Sequence, residues 1–296
     1  IMNDVANAPA QQREISMLIK ALAYAVPSIG LVFIFAPVAS VLGGIYAKHF
    51  GLTLTTIATV MLIARIFDAV TDPIIGYYSD RSRMRTGSRK PFMLIGLVLL
   101  IPCSYFLMVP GGEVSTAYFI FWYLAFYLAY TIFGVPYLAW INEFTVNSKE
   151  KTLVFSVNAI VAQSGGALFY LIPLLPFFTS TEITPQILQV TVISGAALMV
   201  PGLLIALKVV PDGPRPEPVP EALRAQPISK KMADVLQSML KNKPFVLFVL
   251  TFMFLGIGTG MWAGMFFIYV DSYLKLGEEF AKISLWGMVV GALAVP

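Results

Sequence analysis

The feature that most constrains this chain is a series of long apolar segments separated by short polar ones. Seven of them approach the length of roughly 20 residues that an α-helix needs to cross a bilayer. They are Ala21–Tyr46, Thr53–Tyr78, Phe92–Pro110, Thr116–Ile141, Leu153–Phe178, Leu188–Val209 and Pro244–Val270. An eighth begins near Ile283 and is still apolar at Pro296. The pattern predicts an all-α, multi-pass membrane protein.

Composition excludes the soluble enzyme classes. Charged residues make up 12% of the chain and hydrophobic residues 58%, whereas soluble globular proteins carry about 25% charged residues. The one cysteine and one histidine cannot form a four-ligand zinc site or an internal disulfide. We find no nucleophile–base pair and no phosphate-binding loop, so we expect no enzyme activity, no cofactor and no resident metal.

The order of the segments predicts two helical bundles joined by a linker. Six apolar runs are followed by a long polar stretch, and the apolar runs then resume until the chain stops. We expect a design of two six-helix bundles that is cut short within the second. The predicted units are a cytoplasmic segment at 1–20, a transmembrane bundle at 21–209, a linker at 210–243 and the start of the second bundle at 244–296.

The predicted linker has two parts. Its beginning is rich in proline, which is typical of extended chain. Further along, apolar residues recur at helical spacing between pairs of lysines. These are Ile228, Met232, Val235, Leu236, Met239 and Leu240. The pattern predicts an amphipathic helix on the cytoplasmic membrane surface, with a solvated tether as the alternative.

The basic residues predict the orientation in the membrane. Nearly all of the 20 lysines and arginines fall in the N-terminal segment and in the loops on the same side of the predicted spans. The opposite side has Lys48, Lys275 and Lys282, and Arg65 lies within a span. Because positive residues collect in cytoplasmic loops, we expect a cytoplasmic N-terminus. This orientation accounts for the positive charge, so we expect the lipid bilayer as partner and no nucleic acid.

The second span carries three ionisable residues, Arg65, Asp68 and Asp72. Their spacing places all three on one face of a helix. Each charge costs on the order of 2.5–3.5 kcal/mol in hydrocarbon, so this face should line a polar cavity. Two carboxylates against one guanidinium attract a cation, and the residues alone leave Na⁺ and H⁺ open. A buried ion pair with a protonated aspartate is the structural alternative.

The fourth span carries a stripe of aromatic side chains at helical spacing. The stripe includes Tyr123, Tyr127, Tyr130 and Tyr137, with Gly134 among them. A phenol offers both a stacking face and a hydroxyl, which suits sugars, although such stripes are also common in packing. Asn158 adds polarity to the fifth span as a solute contact or an interhelical hydrogen bond.

Three segments resemble those of one transporter family. The second span reads ARIFDAVTDPIIG from Ala64 to Gly76, and the loop after it reads GYYSDRSRMRTGSRKP from Gly76 to Pro91. The fourth span reads YTIFGVPYLAWINE from Tyr130 to Glu143. The loop resembles the acidic–basic loop of the major facilitator superfamily. Together the segments resemble the glycoside–pentoside–hexuronide cation symporters, the melibiose-permease-like branch.

The resemblance implies a major facilitator fold in the inner membrane and cation-coupled symport of a sugar or glycoside. It implies cation binding by Asp68 and Asp72, with Na⁺ or H⁺ as the coupling ion. The expected solute-binding residues are Arg65, Tyr130, Thr131, Tyr137 and Asn158. The expected cytoplasmic gate consists of Gly76, Asp80, Arg81, Gly87, Arg89, Lys90 and Glu143.

The chain departs from the melibiose-permease pattern where that family holds its sugar. The first span has no acidic residue, Gly134 stands at the position of a fourth-span aspartate, and no arginine lies near Asn158. Two alternatives therefore stay open. One keeps the fold and carries a non-sugar amphiphilic solute. The other is a membrane sensor or assembly factor that does not transport.

Overall fold

A computed structural model describes residues 10–215 and 237–293, and within these ranges the secondary structure is helical, without strands. Most of the predicted amphipathic helix lies outside the described residues, which show helix at 237–241. Seven of the described helices are long and apolar enough to cross a membrane. The prediction of an all-α membrane protein is therefore confirmed, whereas the unit boundaries stay predictions.

The helices follow the predicted spans in order. The first span comprises α1 (Ala10–Ser40) and α2 (Leu42–Phe50). The next five are α3 (Leu54–Thr86), α4 (Lys90–Met108), α5 (Thr116–Phe144), α6 (Ser148–Leu171) and α7 (Pro185–Val209). Beyond the linker lie α8 (Lys243–Ile268), a π-helical turn (Tyr269–Tyr273) and α9 (Phe280–Leu293).

The second span is longer than predicted. We expected a loop from Gly76 onward, but α3 continues to Thr86, so that expectation is wrong. The helix ends at Gly87, whose φ of 84° is left-handed and suits glycine. Arg83 and Arg85 lie in the last turn, where positive charge interacts favourably with the helix dipole. The acidic–basic segment is therefore a rigid extension of the membrane helix.

Small residues bring the helices close together. At Gly30 in α1, an added Cβ would lie 2.6 Å from the Met199 backbone nitrogen of α7. At Gly96 in α4, it would lie 2.5 Å from the backbone nitrogen of Phe133 in α5. Close backbone approach of this kind is a main source of helix association in membranes, because in lipid the hydrophobic effect does not drive helices together. Glycine contacts therefore hold the bundle together.

One side of α3 packs against α5, and much of the rest is uncovered by the described helices. Apolar side chains that are exposed there include Leu62, Ile66, Val70 and Ile74. Arg65 and Asp72 are exposed along the same helix. The charged face thus lies on an open side of the bundle, where a solute or a further helix can reach it.

We expect Gly30→Ala to destabilise the protein. Its methyl group has no room against α7, and overpacking of this kind typically costs about 1–3 kcal/mol. Gly134→Ala is the matched control, because its nearest neighbour would be 3.8 Å away. Thermal unfolding in detergent should show a lower midpoint for Gly30→Ala alone. Equal midpoints for the two variants would contradict the close contact between α1 and α7.

Candidate cation and solute site

The charged face of α3 contains an ion pair within one helix. The Nη1 atom of Arg65 lies 3.3 Å from Oδ2 of Asp68, one turn further along. Asp72 follows one turn beyond Asp68. The predicted common face is therefore present, with a guanidinium at one end and a carboxylate at the other.

Asp72 is connected to the neighbouring helix α5. Its Oδ1 accepts a hydrogen bond of 2.9 Å from the Thr131 hydroxyl. Thr131 is buried, so its side chain is fixed by the helix packing. The structure thus brings together the predicted cation residue Asp72 and the predicted cavity residue Thr131.

Asp68 has one oxygen without a partner. Its side chain is 16% exposed, and Oδ1 is buried with no hydrogen bond among the described residues. An unpaired carboxylate oxygen away from water is costly unless something binds it. The described residues contain no cluster of three or more metal-ligating side chains. The Asp68 and Asp72 carboxylates and the Thr131 hydroxyl carry hard oxygen atoms, the ligand type that suits a small monovalent cation.

Tyr127 belongs to this cluster, although the sequence placed it only in the aromatic stripe. Its hydroxyl accepts a hydrogen bond of 2.5 Å from Nη2 of Arg65. The Arg65 Cζ atom also lies 4.5 Å from the centre of the ring. Tyr127 precedes Thr131 by four residues, so both face α3. That spacing is the signal that could have identified it.

The other predicted solute contacts are more dispersed. Tyr130 is half-buried and stacks on Phe35 of α1, with ring centres 4.7 Å apart. Tyr137 is 3% exposed, stacks on Tyr24 at 4.4 Å and bonds the backbone oxygen of that residue. Asn158 accepts hydrogen bonds from Ser28 at 2.5 Å and from Tyr137 at 3.3 Å.

Tyr137 and Asn158 therefore form a polar connection between α1, α5 and α6, separate from the Arg65 contacts. Tyr137 is buried among these helices, and its contact with a solute stays a prediction. Asn158 is half-exposed, and its role in binding stays a prediction.

A second charged cluster lies at the end of the bundle that carries the acidic–basic segment, here called the basic end. The carboxylate of Glu143 pairs with Arg89, and its Oε2 lies 3.0 Å from Nε of Arg83. Arg89 also pairs with Asp80 and donates a hydrogen bond of 2.9 Å to Ser79. The Glu143 side chain is only 2% exposed. Three predicted gate residues, Asp80, Arg89 and Glu143, thus meet in one partly buried network.

Lys90, another predicted gate residue, lies at the same end and contacts the start of the linker. Its ammonium donates to the carbonyls of Leu207 and Val210, at 2.8 and 2.9 Å, and lies 3.5 Å from Asp212. It also lies 5.3 Å from the centre of the Trp140 ring. Lys90 therefore holds the end of α7 and the first residues of the linker.

The same linker residues have further contacts at the basic end. The Trp140 indole donates to Pro211 at 3.0 Å, and Arg83 donates to Pro214 at 3.0 Å. Gly213 has a φ of 74° and lies so close to the Glu143 carbonyl that a Cβ would overlap it. The start of the linker is thus fixed to the six-helix bundle.

The remaining predicted gate residues are near this network. Gly87 ends α3 close to Arg215, at 3.1 Å from a Cβ built on the glycine. Arg81 is exposed on α3, and Gly76 is half-buried next to Val135 of α5. The assignment of these three residues to a gate stays a prediction.

A third charged cluster lies at the opposite end and joins the first span to α8. Lys48 of α2 pairs with Glu182 at 2.5 Å and with Asp271 at 2.9 Å. Next to it, the ring of Phe267 lies against Gly44 so closely that a Cβ there would overlap it. Lys48 is therefore held by two carboxylates at the end of the first span.

The chain matches known transporters along most of its length. A family model described as MFS/sugar transport protein matches residues 21–296. The uncharacterized symporter YnaJ of Bacillus subtilis is 28% identical over 290 residues, which are 95% of this chain and 59% of that protein. The putative glycoside/cation symporter YagG of Escherichia coli is 33% identical over 40% of this chain and 27% of its own length.

A vertebrate protein is also similar. The sodium-dependent lysophosphatidylcholine symporter 1-A of Danio rerio is 24% identical over 81% of this chain and 50% of its own length. The chain thus spans 59% or less of each of these three relatives. They are transporters and not enzymes, as the sequence predicted. The chain belongs to the MFS/sugar transport protein family, in the branch of glycoside–pentoside–hexuronide cation symporters that its second and fourth spans resemble.

Proposed function

We propose that this protein is a secondary active transporter that couples the movement of Na⁺ or H⁺ to symport of a sugar or glycoside. Asp68 and Asp72 hold the cation, and Arg65 lies beside the solute. The observation that carries the proposal is the unpaired, buried Oδ1 of Asp68 next to the Asp72–Thr131 pair. The relatives named as symporters support the same reading.

Coupling follows from the charges on α3. Without a cation, two carboxylates share one guanidinium, and the excess negative charge in a membrane interior is unfavourable. A bound cation neutralises the excess and lets Arg65 turn toward a solute. Cation and solute therefore strengthen each other's binding, and the linkage is reciprocal.

We propose that the basic end faces the cytoplasm and that the membrane is the inner membrane. The acidic–basic segment with Arg83, Arg89 and Lys90 lies at this end. Lysine and arginine near the ends of spans determine orientation in the membrane. Arg81, Gly76 and Gly87 would then belong to the cytoplasmic side of the gate.

We propose alternating access by rocking of two helical bundles about a site near the membrane midplane. The bridge from Lys48 to Asp271 ties the first span to the π-helical turn after α8 at the opposite end. Asp271 is largely buried, with 7% of its side chain exposed, so opening there must expose it. In this arrangement the end away from the cytoplasm is closed.

A second candidate keeps the coupling ion and changes the cargo to an amphiphilic solute. Gly134 stands on α5 where the melibiose-permease pattern has an aspartate, and exposed apolar side chains flank the charged face of α3. The similarity to a lysophosphatidylcholine symporter favours the same alternative. A labelled panel of glycosides and lysophospholipids in proteoliposomes separates the two. Absence of counterflow with every compound would instead favour a sensor or assembly factor.

We expect Asp68→Asn and Asp72→Asn each to reduce cation-dependent uptake by at least about tenfold. Each change removes a charged ligand, and a contact to a charged group is typically worth about 1.5–3 kcal/mol. The measurement is uptake into proteoliposomes with imposed Na⁺ or pH gradients.

Glu113→Gln is the matched control, because it removes a carboxylate from an exposed loop. It should transport like the unmodified protein. Uptake that is indifferent to both gradients before any substitution would contradict the coupling. Gradient-dependent uptake that survives in both aspartate variants would place the cation elsewhere.

We expect Lys48→Gln to open the end of the bundle that Lys48 closes. A cysteine at Val270, which is buried beside the bridge, should then react several-fold faster with a membrane-impermeant maleimide in a Cys103→Ser background. Lys282→Gln is the control, because Lys282 pairs only locally with Glu279. Unchanged labelling in Lys48→Gln would rule out the bridge as a closing contact.

A further inference from the structure

The guanidinium of Arg65 is shared between two helices. Its Nη1 lies 3.3 Å from Asp68 on its own helix, and its Nη2 donates a 2.5 Å hydrogen bond to Tyr127 on α5. The guanidinium also lies over the Tyr127 ring, with Cζ 4.5 Å from the centre. Because the guanidinium makes two different contacts with Tyr127, α5 holds this side chain more strongly than Asp68 on its own helix does.

Packing holds the Tyr127 side chain in place, whereas the Arg65 side chain is much less enclosed. The tyrosine is 2% exposed, and its ring packs on Tyr123 at 5.0 Å, on Phe126 at 5.5 Å and on Phe35 at 6.2 Å. More than half of the Arg65 side chain is exposed. The hydroxyl of Tyr127 therefore fixes the position of the exposed guanidinium.

The contact between Arg65 and Asp68 uses only one oxygen. Guanidinium and carboxylate groups prefer a two-point contact, in which both nitrogen atoms meet both oxygen atoms. Here Nη2 donates to Tyr127, and Oδ1 of Asp68 has no hydrogen-bond partner among the residues that the structure describes. If Nη2 turned from Tyr127 to Asp68, Arg65 could occupy both oxygens and leave none for a cation.

We infer that Tyr127 is a positioning residue that keeps Arg65 off the second oxygen of Asp68 and so keeps that oxygen available to the coupling cation. The inference rests on the proposed function. In this role the buried Tyr127 controls cation affinity, although it does not itself contact the cation.

Within the part of the chain that the structure describes, few charged groups surround Asp68, so the position of Arg65 matters. Arg65 and Asp72 lie on the same helix, and α5 contributes the phenols of Tyr127 and its neighbours, Tyr123 and Tyr130. Another helix, α2, meets α3 nearer its start, where Gly43 lies against Ile57 and Met61. Arg65 is the positively charged side chain among these groups. Its approach to Asp68 therefore competes directly with the binding of Na⁺ or H⁺.

The test is Tyr127→Phe, which keeps the ring face and removes the hydroxyl. The purified protein is titrated with NaCl in place of choline chloride at constant ionic strength, and the thermal midpoint reports binding. We expect the half-saturating Na⁺ concentration to rise by about tenfold, the scale of one hydrogen bond to a charged group. If protons are the coupling ion, the same titration against pH should shift to lower pH.

Tyr118→Phe is the matched control. It removes a hydroxyl from the same helix, where that group donates a 2.5 Å hydrogen bond to the Phe106 carbonyl away from the site. We expect no change in cation titration from it. An unchanged or lower half-saturating concentration in Tyr127→Phe would overturn the inference.

Arg65→Lys provides a second test that a general packing defect cannot imitate. Lysine has a single ammonium and cannot form the two-point contact. In that background Tyr127→Phe should change the cation titration less than about twofold. A tenfold change there would mean that Tyr127 acts through packing, which contradicts the inference.

Failure of this inference can be distinguished from failure of the proposed function. If Asp68→Asn removes the cation response while Tyr127→Phe leaves the half-saturating concentration unchanged, only the positioning role fails. If the unmodified protein shows no response to Na⁺ or to pH, the proposed function fails and the inference fails with it.

Discussion

The structure depends on the cost of keeping Arg65, Asp68 and Asp72 together inside a membrane. Each charge there requires a partner, a polar cavity or a bound ion. Arg65 is held by Asp68 and Tyr127, and Asp72 by Thr131, while one oxygen of Asp68 remains unpaired. We propose that the cation binds at the oxygen that has no partner among the described residues.

The rest of the bundle positions this face. Close glycine contacts bring α1 onto α7 and α4 onto α5, and α5 in turn presents Tyr127 and Thr131 to α3. At the basic end, Glu143 and Lys90 join the helices to the start of the linker. At the opposite end, Lys48 reaches across to the π-helical turn after α8. The charged clusters at the two ends therefore restrain the bundle on both sides of the membrane-embedded site.

Local patterns in the sequence predicted the helices and the common face of Arg65, Asp68 and Asp72, because helical spacing and span length depend on near neighbours. They missed the length of α3, since charged residues were taken to end a span although they continue a helix outside it. Long-range contacts were also missed. The pairing of Arg65 with Tyr127 joins residues 62 positions apart, and that of Lys48 with Asp271 joins residues 223 apart. Helical periodicity contains no information on such pairs.

The central claim is that the charged face of α3 binds one cation through Asp68 and Asp72. Isothermal titration calorimetry of NaCl into the purified protein, repeated over a pH series, tests it most directly. The account predicts a saturable signal for one Na⁺ that protons oppose, or proton uptake alone, and loss of either in the Asp68→Asn, Asp72→Asn double variant. Identical titrations for the unmodified protein and the double variant would contradict it.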